Sequence, residues 1–369
     1  MNTEDLFKAD PYGLDASQKK DFLSLELKNL TAFHKENGKE YSNILKAIQK
    51  DNIEASTPIE QLPFLPVRLF KLLELKSVDS ASVIKTLTSS GTTSQIVSKI
   101  FLDKTTASLQ TKALVHIVKS FIGNQRLPMI IIDTPNVIKN RKSYSARGAG
   151  IMGMVNFGRN HFYLLDDDMN VDWNGLELFM EKHKEEKIFM FGFTFMVWKY
   201  FCKAAIEQNK KVDLNNSILI HSGGWKKLLD EAVDNDTFKK VLHTNLGIPN
   251  VHNFYGMVEQ VGSIFMECEK GHLHAPSFAD ILVRDPETLE VLDFHQKGLI
   301  QVLSVLPKSY PGHSLLTEDL GEIHGEDTCS CGRKGKYFSV YGRLPKAEIR
   351  GCSDTQAASE EDRNASIIS

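Results

Sequence analysis

Met129-Ile130-Ile131-Ile132-Asp133 is an apolar run of strand length between Pro128 and Pro135. Such a run belongs to a strand buried on both faces, which is the habit of parallel sheets. Three similar runs follow, Lys187 to Gly192, Ser217 to Ile220 and Asn250 to Tyr255. Helical patterns separate them: Lys104 to Phe121 before the first, a stretch to Lys210 after the second, and one to about Leu246 after the third. Alternating strands and helices predict βαβ units and an α/β fold with a mostly parallel sheet.

Upstream, Asp15 is a predicted N-cap with Gln18 three residues on, and Leu23, Leu27 and Leu30 share one helical face to Asn37-Gly38. Tyr41, Ile44, Leu45 and Ile48 keep the period. Pro58, Pro63 and Pro66 then break the chain into extended pieces. Residues 1–80 thus read as a helical leading segment and 81–260 as the α/β core. Residues 261–345, with short β-rich runs at 261–267, 279–284 and 298–305, read as a smaller lobe, and 346–369 as a loose tail.

With 369 residues the chain is long enough for two or three lobes. A net charge of −3 gives no reason to expect nucleic acid or an anionic membrane as partner. The longest nearly unbroken apolar run, Ile188 to Trp198, is too short for a membrane span. That run is either plain core or the wall of a ligand tunnel. The polar start, Met1-Asn2-Thr3-Glu4-Asp5, is unlike a signal peptide, and five cysteines are an odd number. Reduced thiols and a cytoplasmic location are expected.

Thr86 to Thr93, Thr-Leu-Thr-Ser-Ser-Gly-Thr-Thr, follows a predicted strand at Ser82 to Lys85. Gly91 allows a turn, and backbone N–H groups with Ser89, Ser90, Thr92 and Thr93 form an anion nest suited to a polyphosphate. The alternative is a solvated turn. It is not a P-loop, since no G-x-x-x-x-G-K-[ST] is present. Gly148-Ala-Gly150-Ile-Met-Gly153 matches G-x-G-x-x-G but lacks a preceding strand and a good following helix. A glycine-rich loop is expected there instead of a dinucleotide site. Asp166-Asp167-Asp168 reads as a solvated loop.

Three further motifs follow in order. Ser222-Gly223-Gly224 ends a buried strand. Asn253 to Glu259 sets Tyr255 and Gly256 before a carboxylate, so that a base can stack on Tyr255 and Glu259 can hold a Mg²⁺ bridging phosphates. Leu316 to Gly321, then Tyr341-Gly342-Arg343, offers Asp319 for ribose hydroxyls and Arg343 for phosphate or ribose.

Ser89-Ser90-Gly91-Thr92-Thr93, Tyr255-Gly256-x-x-Glu259, Thr317-x-Asp319-Leu320-Gly321 and Gly342-Arg343 together resemble the core motifs of acyl-adenylate-forming enzymes. Cys329-Ser330-Cys331-Gly332-Arg333 resembles the phenylacetate–CoA ligase branch. Ala9 to Leu14 and Ile349-Arg350-Gly351-Cys352 are similar to the acyl-protein synthetases of luminous bacteria, over essentially the whole chain. The resemblance implies ATP and Mg²⁺ as cofactors and a long-chain fatty acid as substrate. Ser89, Ser90, Gly91, Thr92 and Thr93 would grip the phosphates. Gly223, Gly224, Tyr255 and Gly256 would border the adenine, Glu259 would place Mg²⁺, and Asp319 and Arg343 would hold the ribose. Cys352 would take the acyl group as a thioester. A fatty-acid reductase subunit would receive it, and an acyltransferase or thioesterase subunit would supply the acid.

Ser94 and Glu318 stand where many relatives have glycine, and Pro345-Lys346 where they have a hinge aspartate. The lysine usual after the hydroxyl loop is displaced, with Lys99 the nearest. A C-terminal lid domain is expected to be absent, which favours a protein thiol over CoA as acceptor. Arg350 and Lys346 near Cys352 favour the thiolate, and the nine-residue span from Arg343 reaches roughly 30 Å when extended.

Cys268, His272 or His274, Cys329 and Cys331 form either a structural Zn²⁺ set or plain reduced cysteines. The expected function is ATP-dependent fatty acid activation and thioester formation. Its rivals are a phenylacetate-type CoA ligase and a zinc-stapled assembly subunit with a decayed nucleotide site.

Overall fold

The computed structural model describes residues 3–89, 97–138, 146–225 and 230–344. Its strands are β1 (Leu65–Pro66), β2 (Lys85–Thr88), β3 (Lys99–Leu102), β4 (Leu127–Ile131), β5 (Gly158–Tyr163), β6 (Ile188–Phe193) and β7 (Ser217–Ser222). They continue as β8 (Asn250–Tyr255), β9 (Phe265–Glu267), β10 (Leu273–His274), β11 (Ala279–Arg284), β12 (Lys297–Ser304), β13 (Ser314–Glu326) and β14 (Lys336–Arg343).

The order β5-β4-β6-β7-β8 is parallel throughout. Its alternate side chains enter two separate cores. Ile131, Phe189, Phe191, Ile218 and Ile220 pack on one face. Ile130, Ile132, Ile188, Met190 and Leu219 pack on the other. That two-sided burial is why these strands read as continuous apolar runs. Helices Lys104–Ile122, Trp173–Lys182 and Asn235–Leu246 are capped by Asp103, Asp172 and Asp234, each accepting a first-turn N–H. The segment after β6 is helical from Thr194 to Glu207 with a wide π turn over Val197–Lys203.

Antiparallel pairing of β9 with β8 carries the same sheet onward as β9-β10-β14-β13-β12-β11. β1 joins β13 in parallel. The leading segment braces this far end. Its helix Ala16–Asn37 starts with the full capping box of Asp15 and Gln18 and buries Leu23, Leu27 and Leu30; each buried leucine contributes about 1.5–3 kcal/mol. From it, Lys19 Nζ reaches the Ala275 carbonyl at 3.0 Å, and Thr31 Oγ1 lies 2.9 Å from His313 Nε2.

Two expectations change. The strand expected at Ser82 to Lys85 lies instead at Lys85–Thr88, because it is fixed by antiparallel pairing with β3. The glycines of 148–153 lie in a helix, Ala146–Met154, and not in a loop. A Cβ at Gly150 would stand 2.8 Å from Phe193 Cζ, so the glycine lets this helix lie against that ring. Asp166, Asp167 and Asp168 are exposed, with Asp166 Oδ1 accepting the N–H groups of Asp168 and Asn170.

Candidate functional site

The carboxyl ends of β4, β6, β7 and β8 share one edge of the sheet, the place where open α/β sheets receive ligands. Ser222 ends β7 opposite Phe254 of β8, and its hydroxyl donates to the Phe254 carbonyl at 2.9 Å. Gly223 follows at φ +85°, with the Phe193 ring 3.1 Å from where a Cβ would be. At Gly224 nothing among the described residues lies within 4 Å of that position, which leaves the backbone accessible to a ligand.

Two bulges bring the next residues to this edge. Leu299 pairs with Leu320 and Gln301 with Leu316, so Thr317, Glu318 and Asp319 all stand opposite Ile300. The Thr317 hydroxyl donates to the Ile300 carbonyl at 2.8 Å and accepts the Asp319 N–H at 3.1 Å, which holds the bulge. On the other side Leu320 pairs with Gly342 and Gly321 with Val340, leaving Tyr341 as the extra residue. Gly342 takes φ +104°, a conformation suited to glycine.

The outcome is one polar group. Tyr255 Oη donates to Asp319 Oδ2 at 2.6 Å, and Arg343 Nε stands 3.8 Å from Asp319 Oδ1. Burial, reinforced by the Asp319 carboxylate, holds the Tyr255 phenol well above its ordinary pKa, so it remains a donor. Gly256 is exposed beside it, and Glu259 is buried in the turn Val258–Gln260. β3 packs against that turn, which brings the strand leaving the hydroxyl-rich hairpin close to Val258–Gln260.

Ser89 closes the hairpin: its N–H donates to the Ser98 carbonyl and its hydroxyl accepts the Ser98 N–H at 2.9 Å. Ser90, Gly91, Thr92, Thr93 and Cys352 lie outside the described residues. Lys99 is exposed, with Nζ 3.4 Å from Glu74 Oε1.

Sequence reasoning passed over several residues at this edge. The Thr194 hydroxyl donates to the Ser222 carbonyl and meets His221 Nδ1 at 2.9 Å. Burial takes the His221 pKa down to about 3, so its ring is neutral. Arg147 Nε stands 2.9 Å from Asp133 Oδ2 and anchors the glycine-bearing helix at the end of β4. Polar residues at the ends of predicted parallel strands were the available signal.

Cys268, His274, Cys329 and Cys331 converge, with their ligating atoms all within 4.8 Å of one another. Cys268 Sγ lies 3.9 Å from Cys329 Sγ, and Cys331 Sγ 3.4 Å from His274 Nε2. Tetrahedral arms of 2.3 Å set sulfurs roughly 3.8 Å apart, so the donor set fits zinc. The Lys270 N–H points at Cys268 Sγ and the Arg333 N–H at Cys331 Sγ. Burial pushes the Cys268 thiol up to about 12 and raises Cys329, whereas at Cys331 burial is outweighed by hydrogen bonds from Arg333, which hold the thiol below its usual value. His272 is turned away, its ring 5.1 Å from that of His324. Cys202 is buried elsewhere, its thiol raised by burial to about 11.

The architecture is that of the acyl-adenylate-forming ligases. The structure of 2-hydroxyisobutyryl-CoA ligase, in its postadenylation state in complex with 2-HIB-AMP, matches with a TM-score of 0.66 at 13% identity, over 90% of this chain and 69% of that one. The same ligase in its thioesterification state, with 2-HIB-AMP and CoA, matches over 95% of this chain and 74% of that one, with a TM-score of 0.66 at 14% identity. The chain belongs to the acyl-protein synthetase family, LuxE, whose family model matches residues 2–359. The long-chain-fatty-acid–luciferin-component ligase of Vibrio harveyi is 21% identical over 94% of this chain and 90% of the relative. That of Aliivibrio fischeri is 22% identical over 95% and 92%. Among the described residues, no helix is long and apolar enough to cross a membrane.

Proposed function

We propose that the chain activates a long-chain fatty acid with MgATP and carries the acyl group on Cys352. The single observation behind this reading is the convergence of Tyr255, Asp319 and Arg343 beside the open Gly223-Gly224 turn. A fatty carboxylate oxygen bonds to the α-phosphorus and the α–β phosphoanhydride breaks, giving acyl-AMP and pyrophosphate. The Cys352 thiolate then bonds to the acyl carbonyl, and AMP leaves.

Gly223, Gly224, Tyr255 and Gly256 border the adenine in this reading, and Asp319 with Arg343 holds the ribose. Ser89 roots the loop of Ser90, Gly91, Thr92 and Thr93 that grips the phosphates. Glu259 would hold Mg²⁺, which when bound would neutralise phosphate charge. Residues 81–260 and 261–345 thus supply the two sides of one nucleotide cradle, and 346–369 carry the acceptor. Cys268, His274, Cys329 and Cys331 hold a structural Zn²⁺; four protein ligands leave no open position for catalysis. The long chain of the substrate rests on the names of the curated relatives. A reductase subunit that accepts the thioester, and a transferase or thioesterase that supplies the acid, complete the scheme.

The test is labelling with tritiated myristate and ATP. The wild type is expected to retain hydroxylamine-labile label, and Cys352→Ser none, while both catalyse fatty-acid-dependent ATP–pyrophosphate exchange. Labelled acyl-CoA in solution with unlabelled protein, on adding CoA, would point to a CoA ligase instead. Absent exchange in folded protein would overturn the reading.

A further inference from the structure

Away from the nucleotide edge, His295, Glu322 and His324 bring their ligating atoms within 4.8 Å of one another. Glu322 and His324 are two apart on β13 and so share a face. His295 comes from the turn between β11 and β12. Its backbone is left-handed, φ +65°, and is held by its N–H on the Ile323 carbonyl at 2.8 Å.

Glu322 Oε1 lies 3.3 Å from His324 Nδ1 and 3.8 Å from His295 Nδ1. Ligands on tetrahedral arms of about 2.0 Å stand roughly 3.3 Å apart, so one ion fits with a small inward turn of the His295 ring. The outer atoms already have partners. His324 Nε2 is 2.8 Å from Ser339 Oγ, and Glu322 Oε2 accepts the Tyr341 hydroxyl at 2.9 Å. Metal-bound histidines and carboxylates are oriented by such outer contacts. A plain ion pair between Glu322 and His324 explains the 3.3 Å separation. It does not explain the left-handed turn that brings a second imidazole to the same carboxylate oxygen.

We infer that His295, Glu322 and His324 form a binding site for a divalent late transition metal of the Zn²⁺ class, with a fourth position open to water or an added ligand. Two imidazoles and one carboxylate select such ions over Mg²⁺. This site is separate from the cysteine cluster, whose imidazole is His274. It touches the nucleotide edge indirectly, because Tyr341 is the bulged residue just before Gly342-Arg343. Binding steadies that end of β14.

The experiment titrates chelator-stripped full-length protein with Co²⁺, read by absorbance, and with Zn²⁺, read by calorimetry. Besides any binding that carries the near-ultraviolet thiolate charge-transfer band of the cysteine cluster, a second class of sites without that band is expected to fill at micromolar metal. His295→Ala, at a side chain 70% exposed and outside the nucleotide edge, is expected to weaken this binding by more than about a hundredfold and to leave any thiolate band unchanged. Tyr341→Phe, which removes only the hydroxyl on Glu322, is expected to weaken it about tenfold. Only thiolate-type binding in the wild type, or unchanged binding in His295→Ala, would overturn the inference.

Discussion

The Tyr255 hydroxyl donates to the Asp319 carboxylate across sixty-four residues of sequence, 2.6 Å from oxygen to oxygen. This bond ties the carboxyl end of a parallel strand to a bulge in an antiparallel one. It leaves the second Asp319 oxygen facing Arg343.

Tyr255→Phe releases that carboxylate. A hydrogen bond to a charged group contributes about 1.5–3 kcal/mol, so the KM for ATP in fatty-acid-dependent pyrophosphate exchange is expected to rise about 10- to 100-fold. An unchanged KM would reduce the hydroxyl to a packing group.

Two glycines at this edge have opposite expectations. Gly150→Val drives a side chain into Phe193, and overpacking costs about 1–3 kcal/mol, read from the denaturant midpoint. Gly224→Ala meets no neighbour among the described residues, so stability should hold within about 0.5 kcal/mol. It places a methyl where the nucleotide would approach the backbone, so ATP affinity should fall. Equal ATP affinity in Gly224→Ala and wild type would remove that turn from the cradle.

Elemental analysis of freshly purified protein should find zinc bound through Cys268, His274, Cys329 and Cys331, and Cys329→Ser should lose it. Stripping that zinc should lower the unfolding midpoint and expose thiols to reagent. If folded, metal-free protein kept the same midpoint and unreactive thiols, the cluster would be a set of packed cysteines.

Asp280 sits between Lys336, at 2.9 Å, and Lys19, at 3.4 Å. Burial works against its charge, but the two ammonium groups prevail and hold its pKa below the ordinary carboxylate value. Its contribution to stability is therefore complete above the unfolded-state value, near 4, and is lost as pH falls through the lower folded value. Asp280→Asn should flatten the acid limb of a midpoint-against-pH curve. Lys19→Met, which leaves Asp280 paired with Lys336 alone, should lower stability at neutral pH and raise the pH at which the acid limb begins. An acid limb identical to wild type in Asp280→Asn would place the titration elsewhere.

The parallel strands were legible because both of their faces are buried: Phe189, Met190 and Phe191 leave no polar gap to blur the run. The strand β5 was not, since Arg159, Asn160 and His161 face outward on an edge strand. The helix holding Gly148, Gly150 and Gly153 hid behind glycine's poor helical propensity, which contact with Phe193 overrides. Tyr255, Asp319 and Arg343 could be grouped by motif order, but the bulges that aim them depend on partner strands. Spacing left His272 and His274 equivalent; only the fold separates them, sending one ring to Cys331 and the other to His324.

The N-terminal helix has its partners late in the chain. The Ala16 N–H is held by Asp327, 311 positions away, and Thr31 by His313, 282 away. At about 5–20 residues per second, a ribosome needs roughly 15–60 s to deliver those partners. Leu23, Leu27 and Leu30 lie on that helix and emerge with it, long before these polar partners. Newborn chains therefore carry this helix without its late polar partners through most of translation, and yield in a foreign host should respond to chaperone supply and growth temperature more than to codon choice near the start.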